Sequence, residues 1–195
     1  MKMFKRLKRI LRYSESAEYP RRYAVMNAFD GVITILGIIL GSKLLGSAEA
    51  GQIVAASVGA LIAMGVSGAS GTYITEMAEQ ERKIKELQDA MLTNLEGTIL
   101  VKAHREAAVI SALVDSAAAI FAGLLAVAPY FLTVAGYISD VAAFYSSLII
   151  SLSLLFTLGV FLGKVAGRSL LFSGLKALGI GCLTLFFLLL LNLIL

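Results

Sequence analysis

The sequence predicts an all-α membrane protein with five transmembrane helices, and three observations lead to this fold class. Of the 195 residues, 58% are hydrophobic and only 15% are charged, whereas a soluble domain is closer to half apolar and a quarter charged. Five runs reach the length of about 20 apolar residues that spans a bilayer. These runs are continuously apolar and do not alternate, so helices are predicted rather than barrel strands.

The five predicted spans follow one another with short connections. They cover residues 24–45, 52–75, 107–132, 141–163 and 169–195. Lys and Arg collect in the N-terminal segment, in the connection after span two and in the connection after span four. By the positive-inside rule the N-terminus is therefore predicted to be cytoplasmic and the C-terminus extracytoplasmic. No targeting segment is evident, and the chain is compact, which favours the cell membrane of a prokaryote over a vacuolar membrane.

The chain divides into four predicted regions. Residues 24–75 contain spans one and two, and residues 107–195 contain spans three to five. The other two regions lie outside the bilayer. Residues 1–23 form a basic N-terminal segment, in which positions 2–13 place Met3, Phe4, Leu7, Ile10 and Leu11 on one helical face. This pattern favours an amphipathic helix on the membrane surface over a nucleic-acid-binding arm, so no nucleic-acid partner is expected. Residues 76–106 form an acidic helical segment that continues span two into the cytoplasm without a breaker.

Two acids fall well inside the predicted spans, Asp30 in the first and Asp115 in the third. Each costs about 2.5–3.5 kcal/mol at mid-helix on insertion scales, and such residues usually face a cavity or a partner. Asn27 and Thr34 share the helical face of Asp30. For Asp30 we favour a cavity role over an interfacial pair with Arg22, which lies about 12 Å back along the helix. Asp115 fits a transport path or a structural bond to a hydroxyl or to Lys176.

The second span offers Met64 and Ser67 on a polar face that also carries Ser57 and Gly71. A methionine in an apolar helix is usually packing filler. Together with a carboxylate in a neighbouring span, however, a thioether adds a preference for softer transition metals over Mg²⁺ and Ca²⁺.

The acidic segment has two interpretations. Glu76, Glu79 and Glu86 share a face that would suit the collection of cations. The pairs Glu79–Lys83, Glu81–Lys85 and Arg82–Glu86 have the i, i+4 spacing of an ordinary solvated helix. His104 is the only histidine, so a multi-histidine site within one chain is excluded, and we interpret His104 as a loop residue. No nucleotide loop or nucleophile–base motif is present, and nothing indicates an enzyme.

Several stretches are similar to those of the vacuolar iron transporter family. "NAFDGVITILGIILG" (27–41) resembles its first span, and "AMGVSGASGTYITEMAEQE" (63–81) resembles the passage from its second span into an acidic helix. "AGLLAVAPYFL" (122–132) and "RSLLFSGLKALGIG" (168–181) resemble later parts of the same family in order. The likeness covers roughly residues 22 to 195.

The resemblance implies a five-span homodimer that moves Fe²⁺, and often Mn²⁺, out of the cytosol in exchange for protons. Its path would use the first-span aspartate, which matches Asp30, and a second-span methionine, for which Met64 is the candidate. Alignment of "GTY" (71–73) with the family's Gly–Tyr instead places the family's methionine nearer to Gly68, one turn from Met64. The cytoplasmic insert is short here, so Met77 with the three glutamates would form a reduced metal-binding segment or only a stalk.

The leading hypothesis is thus a divalent metal/proton antiporter with no permanently bound cofactor, in which Fe²⁺ or Mn²⁺ is the substrate and H⁺ the counter-ion. Its partners would be the lipid bilayer, divalent metal ions and a second copy of the chain. Two rivals remain open. One is a membrane scaffold whose polar stripe only packs helices, and the other is a passive cation pathway.

Overall fold

The structure, a computed structural model, describes residues 18–44, 46 and 48–194. Within these residues the chain forms five α-helices and no strand. The helices are α1 Glu18–Leu44, α2 Ala50–Met91, α3 Ile99–Val134, α4 Asp140–Val165 and α5 Leu170–Ile194. All five are long and apolar enough to cross a membrane. The predicted five-helix membrane fold is confirmed, while the amphipathic helix predicted for residues 2–13 lies outside the described residues.

Helix α2 is much longer than a bilayer requires. Its 42 residues correspond to about 63 Å of α-helix, against a hydrocarbon core of about 30 Å. The polar part that begins at Glu76 therefore extends beyond the apolar run, as the sequence predicts. The helix ends at Met91, where Leu92 adopts a left-handed φ of 50° and the Thr93 amide donates to the Gln88 carbonyl at 3.2 Å. The side of the membrane on which this end lies stays a prediction.

Two compact units make up the chain. The first, here named the polar unit, comprises described residues 18–27 and 65–117 and contains the buried charged and amide side chains. The second, the apolar unit, comprises the described residues of 28–64 and 118–194. Its core consists of two clusters of branched aliphatic side chains, one around Ile35, Ile39 and Leu61 and one around Val32, Leu36 and Leu155.

Glycine permits close helix contacts within the apolar unit. A Cβ at Gly31 would lie 2.3 Å from the Ala119 carbonyl oxygen, so α1 and α3 meet backbone to backbone at this point. Between α4 and α5, a Cβ at Gly159 would lie 2.5 Å from Ala177 Cβ and 2.6 Å from the Ser173 carbonyl oxygen. Small residues allow such approaches in membrane helices, where dispersion contacts rather than the hydrophobic effect hold helices together.

The contact at Gly159 leads to a stability prediction. Gly159→Ala is expected to destabilise the α4–α5 pair by about 1–3 kcal/mol, because the added methyl meets a backbone oxygen that cannot rotate away. Gly179→Ala in α5 is the matched control, since nothing lies within 4 Å of its Cβ position. The control should be neutral or stabilising by up to about 1 kcal/mol through its higher helix propensity. Thermal unfolding followed by circular dichroism in detergent measures both, and equal melting temperatures would contradict the prediction.

Candidate functional site

Polar side chains from three helices meet in the interior of the polar unit. On α2 they recur at every fourth residue and therefore share one face, and on α3 they follow seven and four residues apart, with the same result. Two residues of α1, one turn apart, complete the group. These side chains, here named the polar core, are Tyr23, Asn27, Thr72, Glu76, Gln80, His104, Ser111 and Asp115.

Asp115 lies at one end of the polar core and is only 1% exposed. The Thr72 hydroxyl donates to its Oδ2 at 2.7 Å, and the Asn27 amide donates to its Oδ1. A Cβ at Gly68 would lie 3.0 Å from the same Oδ2. The carboxylate thus joins three helices, and Thr72 is the hydroxyl partner that the sequence left open. Lys176, the other predicted partner, belongs to the apolar unit, where its ammonium stands 4.7 Å from the centre of the Phe172 ring.

Glu76 occupies the middle of the polar core and is 3% exposed. The Tyr23 hydroxyl donates to its Oε1 at 2.8 Å, and the Gln80 amide donates to its Oε2 at 3.3 Å. Both donors are neutral. Glu76 therefore binds inward, toward α1, and differs in this respect from the exposed acids further along α2.

His104 completes the polar core, and its interpretation as a loop residue is wrong. It lies inside α3, is buried, and places Nδ1 against Gln80 Oε1. Because that oxygen accepts, the contact requires the tautomer with a proton on Nδ1. The prediction failed because α3 begins at Ile99, eight residues before the apolar run that the sequence shows.

Three further predicted path residues lie in the apolar unit. Asp30 is exposed on α1, and Thr34 is half-buried one turn further along the same helix. Met64 is half-buried and packs against the cluster that contains Ile35 and Leu61. Packing of this kind agrees with the filler interpretation of Met64, and its role as a metal ligand stays a prediction. Ser67, in the polar unit, is exposed on α2.

The outer part of α2 carries an ion-pair network. Arg82 contacts Glu79 at 2.7 Å and Glu86 at 2.8 Å, and Lys83 lies 3.8 Å from Glu79. The Arg82 guanidinium, by donating to Glu79, lowers the pKa of that carboxyl below its usual value. Two of the three predicted i, i+4 pairs are thereby observed, together with one i, i+3 pair.

The four predicted ligands of the acidic segment are not equivalent. Glu79 and Glu86 share Arg82, Glu76 is buried in the polar core, and Met77 is half-buried. Within the described part of the chain no three His, Cys, Asp or Glu side chains are grouped so that they could hold a metal ion. Metal binding by this segment stays a prediction.

Sequence reasoning missed several members of the polar core, namely Tyr23, Thr72, Gln80 and His104. The signal was present, because Gly68, Thr72, Glu76 and Gln80 stand four residues apart in the printed sequence. The sequence prediction ends this helical face with the apolar run at residue 75 and treats residues 76–106 as a separate segment. Because the spacing of four continues past residue 75, it identifies Thr72, Glu76 and Gln80 as neighbours on one face of α2.

Comparison with known proteins places the chain in a family. The sequence model of the VIT family matches residues 74–191, more than half of the chain. The chain belongs to the VIT family. It is also 32% identical over 165 residues to the uncharacterized protein MJ0645 of Methanocaldococcus jannaschii, a match that covers 83% of this chain and 82% of the relative. The resemblance to vacuolar iron transporters is thereby confirmed.

Membership in the VIT family defines the broad role of this protein. The family consists of membrane transporters of metal ions and not of enzymes, and the five apolar helices agree with an integral membrane protein in contact with lipid. The family match includes Glu76 and Asp115 but begins after Asp30. The family match therefore assigns no role to Asp30.

Proposed function

We propose that this VIT family member exports Fe²⁺ or Mn²⁺ from the cytosol across the cell membrane in exchange for protons. The observation that carries the proposal is the exposed carboxylate of Asp30 within the apolar run of α1. A charged group facing lipid is costly, so intramembrane acids face a cavity or a partner and mark ion or proton paths. In a family of metal transporters, that path is one for metal ions.

The proposed antiport uses one carboxyl group for two ligands. Asp30 binds the metal ion as a carboxylate and takes up a proton when the ion leaves. Removal from water favours the neutral acid, whereas a nearby cation favours the carboxylate, so each ligand displaces the other. This exchange couples outward metal movement to inward proton movement without any resident cofactor.

A homodimer would provide a partner for Asp30, for which no hydrogen bond or ion pair is observed among the described residues. A second copy that packs against the surface of α1 carrying Asp30 would remove the carboxylate from lipid. It would also bring the Asp30 side chains of both copies to one transport path. Helix α2 supports close packing between copies, because Ala56, Gly59 and Ala63 form an exposed row of small residues in the apolar unit. Such rows let helix backbones approach one another.

Within the polar unit, Asp115 of the polar core is a second candidate cation ligand. Asp115, Thr72 and the Asn27 amide together offer oxygen donors, the ligand type that suits Mn²⁺. Asn27 now turns its amide nitrogen toward Asp115, so a metal ion here would require the amide to rotate and present its oxygen. Because these donors are oxygens and the methionine candidate packs elsewhere, we expect Mn²⁺ to be transported no less readily than Fe²⁺.

Transport into liposomes tests the proposal directly. The full chain is reconstituted with a metal-quenched dye and a pH dye inside, and Fe²⁺, Mn²⁺, Co²⁺, Zn²⁺ and Ca²⁺ are added in turn under an imposed proton gradient. We expect quenching with Fe²⁺ and Mn²⁺, each accompanied by proton movement in the opposite direction. Metal flux without proton movement would indicate a passive pathway, and no flux of any cation would leave the scaffold hypothesis.

A further inference from the structure

The connection between α2 and α3 exposes an unusual amount of apolar surface. Residues 86–99, here named the hairpin tip, lie beyond the apolar run of α2 and thus outside the predicted bilayer. Leu92 is 91% exposed and Ile99 is 76% exposed, and Leu87 and Met91 are exposed beside them. Apolar side chains exposed together outside a membrane usually mark a contact surface.

The charge of the hairpin tip is entirely acidic. Glu86, Asp89 and Glu96 are exposed, and no Lys or Arg occurs between Lys85 and Lys102. Glu86 is engaged by Arg82. An open depression of about 420 Å³ lies here, lined by Gln88, Asp89, Leu92, Thr93, Asn94 and Glu96. The surface thus combines an apolar patch with a negative rim and suits a basic, amphipathic partner.

The backbone at Leu92 gives a further reason to expect a partner. This residue ends α2 with φ 50°, a left-handed conformation for which glycine is the usual residue at a helix C-terminus. A leucine is less stable than glycine in this conformation, because its Cβ approaches the following carbonyl oxygen. The position therefore carries strain and an exposed apolar side chain at once, and a contact made by that side chain would offset both.

The N-terminal segment has the composition that fits this surface. Residues 2–13 carry six Lys or Arg and no acid, with Met3, Phe4, Leu7, Ile10 and Leu11 on one helical face. Its charge is opposite to that of the hairpin tip, and its apolar face matches the exposed leucines there.

The pairing of α1 with α2 directs the N-terminal end of α1 toward the hairpin tip. Tyr23 contacts Glu76, and Asn27 and Thr72 share Asp115, so the two helices run antiparallel in the polar unit. By the same pairing, Glu18 at the start of α1 lies beside position 81 of α2, eleven residues or about 17 Å of helix from Leu92. The four-residue linker 14–17 spans at most about 14 Å, so residues 2–13 stay within reach of the tip.

We propose that residues 2–13 dock as an amphipathic helix on the hairpin tip of the same chain, with their apolar face on Leu87, Met91 and Leu92 and their basic residues beside Asp89 and Glu96. This assigns the segment to the protein and not to the bilayer surface. The proposal does not depend on the transported ion.

A distance measurement in the full-length protein tests the docking. Two spin labels are attached at Lys8→Cys and Asn94→Cys in a Cys182→Ser background, and the protein is studied in phosphatidylcholine nanodiscs. Docking predicts a narrow distribution below about 20 Å. A segment lying on the membrane would be about 27 Å or more from Asn94, the length of α2 between Glu76 and the tip, and this result would overturn the proposal. Dilution with unlabelled protein should leave the short distance unchanged, whereas its loss would assign the contact to a second copy and also overturn it.

Two further variants test the nature of the contact. Asp89→Lys with Glu96→Lys should lengthen the distance, whereas Glu49→Lys, an exposed acid in the apolar unit, should not. Leu92→Gly relieves the backbone strain, so the protein should fold at least as well as the parent but lose the short distance. An unchanged distance in both the charge-reversed variant and Leu92→Gly would contradict docking on this surface.

Discussion

Asp30→Asn is expected to reduce Fe²⁺ and Mn²⁺ transport by about 100-fold, the loss that corresponds to about 2.8 kcal/mol of binding free energy. Asparagine preserves the size of the side chain but can neither carry the negative charge nor exchange a proton for the metal ion. The initial rate of metal entry into liposomes, with proton movement recorded in parallel, measures the effect. Both fluxes should fall together, because one carboxyl group serves both ions.

The control for this experiment is Glu49→Gln. Glu49 is an exposed acid in the connection between α1 and α2, so its neutralisation tests whether any loss of charge slows transport. The melting temperature of Asp30→Asn should stay close to that of the parent, since among the described residues no hydrogen bond or ion pair holds this carboxylate and asparagine preserves its size. If Asp30→Asn transported both metals at the parental rate, the proposed site would be abandoned.

Asp115→Ala is expected to lower the stability of the fold, whereas Asp30→Asn is expected to reduce transport and leave stability unchanged. Removal of the carboxylate leaves the buried Thr72 hydroxyl without its acceptor, whereas the half-buried Asn27 amide keeps the Tyr23 carbonyl oxygen at 3.5 Å. An orphaned buried donor costs about 1–3 kcal/mol, so a loss of about 1–3 kcal/mol is expected. Thermal unfolding by circular dichroism should show a melting temperature lower by several degrees.

Two comparison variants make this result specific to the polar core. Asp115→Asn keeps an oxygen acceptor for Thr72 and should recover part of the lost stability, yet it removes the charge that a transported cation needs. Glu81→Gln changes an exposed acid on α2 and should leave the melting temperature unchanged. A melting temperature for Asp115→Ala equal to that of the parent would show that these hydrogen bonds do not hold the three helices together.

The predicted fold agrees with the structure because a membrane-spanning helix can be recognised from its own stretch of sequence. A run of about 20 apolar residues has few alternatives to a helix in lipid, where every backbone polar group must be bonded within the segment. The ends are less determined. Helices α2 and α3 each extend past their apolar runs, into polar sequence whose helicity depends on ion pairs and on packing against neighbours, as at Arg82 and at His104.

The sequence names the acids of the candidate site, but it does not say which side chains contact them. Asp30 and Asp115 stand out because an acid is costly within an apolar span, whereas Glu76 is named only for the acidic face of residues 76–106. The periodicity of α1 places Asn27 near the face of Asp30. In the structure, however, the Asn27 amide donates to Asp115, and Asp30 is exposed. Helical spacing sets the direction of a side chain around its own axis, and it does not say which helix that direction meets.

The sequence by itself determined that this protein is a five-helix membrane protein of the VIT family with two acids inside its apolar helices, because hydrophobic length and charge cost act residue by residue. The tertiary structure alone decided which polar groups share a core. Asp115 reaches α1 and α2 between Asn27 and Thr72, beside the absent side chain of Gly68. Such contacts depend on the crossing of three helices, and residues that lie more than 40 positions apart along the chain carry no local sign of that crossing.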